Sequence, residues 1–242
     1  MEVQVAVAKV RKYATSESGD TVEMIERPHG GFSFVMVDGQ RSGRSAKAVA
    51  NLVARKAIAL LGEGVRDGAV ARAAHDYLVT HRGGKVQATL NILSVDMVSR
   101  TIVLSRNSHC PIFFVTKRAL QVLDEPSQPV GVYRGTKPVV TELPLQDPTA
   151  VVLFTDGVLA AGQRRGKSLD LLAIVQRLYA ECDCDAQFIA DQLLAEALQL
   201  DEGRASDDIS ILTLAVCVRQ ARDAPAGLSG ADVRRLSLTV PL

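Results

Sequence analysis

The chain predicts an α+β fold built on antiparallel sheet. Three observations carry that expectation. Strand-like runs precede and follow a pair of helical segments instead of alternating with helices one by one. Three further strand-like runs between 86 and 116 are joined by connections of turn length, the spacing of a meander. The length of 242 residues, with 47% hydrophobic residues, suits one large mixed core.

Each element can be justified in order. Residues 2–8 begin with the alternation Glu2, Val3, Gln4, Val5, and DTVEMIE (20–26) leads into PHGG (28–31), where Pro28 and two glycines suit a hairpin turn. FSFVMV (32–37) is apolar almost throughout, as expected of a centrally buried strand, and it stops at Asp38-Gly39. From Ser45 the period becomes helical, with Val49, Leu52, Val53, Ile58 and Leu61 on one face, a break at 62–64, and a second helix over 66–81 closed by Gly83-Gly84. The meander follows as VQATLNILSV (86–95), TIVLSR (101–106) and PIFFVT (111–116). Prolines and glycines over 124–149 predict a loop-rich stretch with at most short strands. AVVLFTDG (150–157) is a buried strand that again stops at Asp-Gly, helices are expected at 168–180 and 185–199, and DISILTLAV (208–216) is the last strand. Residues 1–217 therefore read as one domain, and 218–242 as a C-terminal tail whose RRLSLTVPL could add an edge strand or dock on a partner.

Bulk charge excludes several partners. Lys plus Arg number 28 against 27 Asp plus Glu, a formal net charge of +1, so no electrostatic case exists for a dedicated nucleic-acid binder or a polybasic membrane anchor. The longest apolar runs fall far short of the roughly 18 residues of a membrane span. Four cysteines, none spaced as two matched pairs, behind a start without a basic region and apolar core, point to a reducing cytoplasm. The C-x-C of Cys182 and Cys184 lacks the second pair of a zinc site, and the RRLS around Ser237 is too short to mark phosphorylation. No phosphate-cradling glycine loop of the P-loop or dinucleotide type occurs, nor a nucleophile elbow.

The informative residues are acidic. Asp20 opens a strand, Asp38 and Asp156 each end an apolar strand before Gly, and Asp207 precedes the last strand. Strand ends can meet at one rim, and carboxylates converging beside apolar strands without matching cations in sequence imply bound divalent ions. Oxygen-only donors favour Mg²⁺ or Mn²⁺. A pair of such ions suits phosphoryl hydrolysis without a covalent intermediate. Arg41 and Arg44, at the start of a helix whose dipole opposes them, are candidate phosphate-binding residues together with the helix N-terminus near Ser45; the competing reading is two solvated arginines. His109, in NSHCP after a strand, could approach the site but reads first as a structural loop histidine.

SGD (18–20), VMVDGQRSGRSA (35–46), QATLNILSVD (87–96), NSHCP (107–111), QPVGV (128–132), VVLFTDGV (151–158) and SDDISIL (206–212) stand in an order that resembles the metal-dependent protein phosphatases of the protein phosphatase 2C type. The likeness is greatest to the bacterial branch of the stage II sporulation protein E phosphatase domain and the sigma-factor regulatory phosphatases. It implies a four-layer α-β-β-α sandwich with two central antiparallel sheets flanked by helices. It implies two Mn²⁺ or Mg²⁺ ions and a hydroxide bridging them that attacks a phosphoserine or phosphothreonine. By matching position Asp38 would bridge the metals, the Gly39 carbonyl would coordinate, Asp156 and Asp207 would hold the first metal, and Asp20 would serve the second. Asp208 would stand behind the ligands, with alternative roles as an N-terminal cap or a third-metal ligand.

The chain departs from the eukaryotic pattern in having Gln40 where a histidine general acid is proposed, and in lacking an evident N-terminal phosphate-binding arginine. The resemblance further implies a small phosphorylated regulator as substrate, of the anti-sigma-factor antagonist type or a stress-signalling scaffold. Regulation would come from a partner through the helices over 45–81, and an exposed apolar face there would permit a homodimer. The competing function is a catalytically silent binding module on the same fold.

Overall fold

The computed structural model describes residues 1–28, 30–182 and 185–217. His29, Cys184 and the 218–242 tail with Ser237 lie outside the described residues. Two five-stranded antiparallel sheets face each other. The first runs β1 (Glu2–Val10), β10 (Ile209–Cys217), β9 (Thr149–Phe154), β6 (Ile112–Thr116) and β7 (Leu120–Leu123). The second runs β2 (Asp20–Glu26), β3 (Phe32–Gly39), β4 (Ala88–Asp96), β5 (Thr101–Asn107) and β8 (Val139–Pro144). Helices α1 (Gly43–Gly62) and α2 (Asp67–Arg82) cover the outside of the second sheet, and α4 (Leu171–Glu181) and α5 (Ala186–Leu200) cover the first. This is the four-layer α-β-β-α sandwich.

The period-2 geometry of strands explains why β3 is apolar on both faces. Phe34 and Met36 point between the sheets beside Leu93, Leu104, Leu153 and Leu212, while Val35 and Val37 point at α1 and α2 beside Leu90 and Ile92. A strand sandwiched between a helix layer and a second sheet has no wet face, so alternation disappears even in antiparallel pairing.

Two segments differ from expectation. The third run of the expected meander, β6, does not pair with β5 but joins the other sheet between β7 and β9. Asp156 does not end in a simple turn but opens α3 (Asp156–Ala160), a helix of five residues followed by a 3-10 turn at Gln163–Arg165. So short a helix leaves no periodicity to read. The proline-rich stretch contains the edge strand β8, bounded by Pro138 and Pro144, where missing N–H donors are harmless.

Candidate metal and phosphate site

The inner rows of both sheets turn from apolar to acidic at one end of the sandwich. Along β3 the row Phe34, Met36 continues to Asp38, and in register Asp38 lies directly opposite Asp20 on β2 and Thr89 on β4. Like charges directly across a strand pair repel. Sheet one supplies the opposing wall: Asp156 follows β9, and Asp207 and Asp208 precede β10. A cavity of about 470 Å³ opens there, lined by Asp38, Asp156, Asp207, Asp208 and the Arg41 loop.

Two glycines fix this geometry by close approach. A Cβ on Gly39 would sit 2.0 Å from the Ala46 carbonyl oxygen of α1, and one on Gly157 would sit 2.0 Å from the Asp208 carbonyl oxygen. Only glycine lets Asp38 meet α1 and Asp156 meet β10 so closely.

Asp20 is fully buried. Its Oδ2 accepts hydrogen bonds from Thr155 Oγ1 at 2.9 Å and Ser210 Oγ at 2.7 Å, both from the opposite sheet, while its Oδ1 has no partner. Its backbone carbonyl accepts from Lys9 Nζ and Lys47 Nζ, each at 2.6 Å, tying β2 to β1 and to α1. Burial lowers the pKa of Lys9, and its neighbour Lys47 lowers it further. Burial raises the Asp20 carboxyl to about 6 against the opposing hydroxyl donors. Burial, then the charges of Asp20, Asp156 and Asp207, push Asp38 up to about 9. Asp156 is raised by burial and by Asp207, with His109 pulling the other way. Asp38 is therefore the centre of a carboxylate cluster that repels itself.

Among the described residues, the only ion pair touching the cluster is Lys12 Nζ to Asp207 Oδ1, at 3.5 Å. An orphaned buried carboxylate oxygen and mutually repelling acids fit missing positive charge. Among the described residues no three His, Cys, Asp or Glu side chains are gathered into a protein-only cage. The donors present are carboxylate oxygens, the chemistry of Mg²⁺-like ions, which keep several waters and take one or two carboxylates each.

The other predicted residues separate. Asp208 is buried and spends both oxygens on the β1–β2 loop, accepting from Lys12 N at 2.8 Å and Gly19 N at 2.9 Å. Arg41 adopts φ +77° and lines the cavity. Arg44 does not: its side chain is 88% exposed and its Nε lies 3.6 Å from Glu17. His109, read as a loop residue, lines the cavity, as do Lys12 and Gln40. Thr155 and Ser210 carried no signal in sequence because their partner Asp20 lies on the facing sheet, and Lys12 carried none because Asp207 is 195 residues away.

The family model of stage II sporulation protein E matches residues 28–216. The chain belongs to the stage II sporulation protein E family. Among solved structures it is similar to the Bacillus subtilis SpoIIE phosphatase domain with a regulatory fragment, at 19% identity and a TM-score of 0.78, covering 90% of this chain and 64% of that one. It is similar to the RsbU and RsbW domains of a Mycobacterium tuberculosis protein, at 20% identity and a TM-score of 0.74, covering 90% and 62%. The catalytic domain of the serine/threonine phosphatase PstP, solved with two manganese ions, matches at 14% identity and a TM-score of 0.65, covering 89% and 99%. The chain thus spans less than two thirds of the first two, and these likenesses establish the protein phosphatase 2C-type fold. No curated protein matches the sequence. Among the described residues no helix is long and apolar enough to cross a membrane.

Proposed function

We propose that this SpoIIE-family chain is a metal-dependent protein serine/threonine phosphatase. The observation that carries the reading is the opposed Asp20–Asp38 pair, Asp38 lining the cavity and Asp20 buried behind it, with Asp38 raised to about 9 and Asp20 Oδ1 unpartnered among the described residues. Asp20, Asp38, the Gly39 carbonyl, Asp156 and Asp207 would hold two Mn²⁺ or Mg²⁺ ions. When bound, such a pair activates water and neutralises charge on a phosphoryl group undergoing in-line displacement.

The chain's own residues do the rest. Thr155 and Ser210 clamp Asp20 Oδ2 and leave Oδ1 aimed at the cluster. Asp208 takes no direct part; by holding the loop at Lys12 and Gly19 it keeps Asp20 in register with Asp38. Arg41, at the cavity wall, offers a planar fork to a phosphate. His109 stands exposed beside Asp156.

The substrate is, in this reading, a phosphorylated signalling regulator in the cytoplasm, of the anti-sigma-factor antagonist or stress-scaffold type. Similarity to the RsbU and RsbW domains and to a structure from the bacterial stressosome supports it. Release of phosphate from a phosphothreonine peptide with Mn²⁺, lost with EDTA, tests the proposal. Metal binding at these aspartates without turnover of any phosphopeptide would favour the silent binding module instead.

A further inference from the structure

A second cavity of about 470 Å³ lies beside the acidic one and shares Lys12 with it. Its walls are Tyr13 from the β1–β2 loop, Arg164 and Arg165 from the 3-10 turn, and Arg204 from the α5–β10 loop. The three loops are knitted together from beneath. Asp201 accepts from Gly162 N at 2.9 Å and Ser206 N at 2.6 Å, and Tyr13 N donates to the Ala205 carbonyl at 2.9 Å. Burial would raise the Asp201 carboxyl, but those N–H donors outweigh it and hold the group ionised and occupied.

The cations above are less satisfied. Arg165 pairs with Glu202 and Lys12 with Asp207. Among the described residues Arg164 donates only to the Ser206 carbonyl, at 3.3 Å, and the Arg204 guanidinium rests 5.3 Å over the Tyr13 ring. Neither Arg164 nor Arg204 makes a salt bridge among the described residues, and a net charge of +1 over the chain makes this excess local. Guanidinium forks match carboxylate and phosphate oxygens, and stacking on an aromatic ring pre-orients one of them.

We propose that this basic cavity is a specificity subsite that receives an anionic side chain of the protein substrate, a carboxylate or a second phosphate, near the phosphoresidue held in the acidic cavity. The inference rests on the phosphatase reading for its orientation, since Lys12 joins the two cavities. It separates the roles of the two charges: the acidic cavity takes cations and the reacting phosphoryl group, while Arg164 and Arg204 select the flanking sequence.

The test compares three labelled phosphothreonine peptides, flanked by glutamates, by phosphoserine or by alanines, on wild-type protein and on the Arg164→Ala/Arg204→Ala double variant. With Mn²⁺, the wild-type protein is expected to prefer the anionic peptides by about tenfold in kcat/KM, mostly through KM, and the double variant to lose that preference. Preference for only one anionic flank identifies the source of the charge. Equal rates for all flanks in the wild-type protein, or a preference surviving in the double variant, would overturn the subsite. If no peptide turns over, the phosphatase reading fails by itself. Fluorescence anisotropy of the unphosphorylated glutamate peptide at low salt then decides the subsite: binding by wild type and loss in the variant support it, and absence of binding overturns it.

Discussion

Asp38 sits opposite Asp20 in register and within reach of Asp156 and Asp207, so in the metal-free protein its proton is held up to about 9. A carboxyl whose folded pKa is raised from 3.8 contributes stability fully below that value and loses it as the pH rises towards 9. Metal-free protein should therefore melt at progressively lower temperature from pH 5 to pH 9. Asp38→Asn, neutral throughout, should flatten that dependence and raise the melting temperature in EDTA at pH 8 by several degrees. Unchanged pH dependence in Asp38→Asn would show that the charge strain lies elsewhere. The two arginines divide at the same scale. Arg41→Ala should raise KM for phosphopeptides several-fold, whereas Arg44→Ala should stay near wild type, because an 88% exposed side chain paired with Glu17 contributes little. Sequence placed both at a helix start; only the backbone, turning through φ +77° at Arg41, separates their directions.

At the scale of elements, the helical pair is pinned to its sheet by a buried polar network. Arg27 Nη1 donates to Asp67 Oδ2 at 2.8 Å and Nη2 to the Val65 carbonyl at 2.9 Å, while Ser94 joins Asp67 to Ser33. Arg27→Ala would leave Asp67 buried without its counter-ion at the start of α2, with Ser94 alone donating to it, a loss of about 3–5 kcal/mol. Thermal melts should show a fall of about 10 °C. Asp208→Ala removes two acceptors from the β1–β2 loop and should cost about 2–3 kcal/mol, weakening Mn²⁺ binding through displaced Asp20. Neither network was legible in the sequence, because Arg27 and Asp67 are 40 residues apart and Asp208 and Gly19 are 189 apart. What could be read were the strand ends: an apolar run breaking at Asp-Gly is local, and so are the periods of α1 and α2 and the β4–β5 hairpin. The five-residue α3 was too short to leave a period, and His109 had no partner nearby in sequence to mark it.

Across the whole molecule, the sandwich places its strain where its chemistry belongs. Three apolar layers, one between the sheets and one under each helical pair, hold the strands so rigidly that Asp20, Asp38, Asp156 and Asp207 meet despite their mutual repulsion. The β4–β5 hairpin was foreseeable from turn spacing, but the third strand of the expected meander, β6, lies in the other sheet. How ten strands divide between two sheets was not foreseeable, since β1 pairs with β10 from the far end of the chain and β6 leaves its sequence neighbour β5 to pair with β9. Ligation by divalent ions should stabilise the fold by mass action, about 2.7 kcal/mol at a hundredfold excess over Kd. The most direct measurement of the central claim is Mn²⁺-dependent hydrolysis of a phosphothreonine peptide by wild type, Asp38→Ala and Asp156→Ala, each checked for folding by its melt. The carboxylate cluster predicts turnover by wild type that EDTA abolishes and that both substitutions reduce by orders of magnitude; undiminished turnover in either folded variant would contradict it.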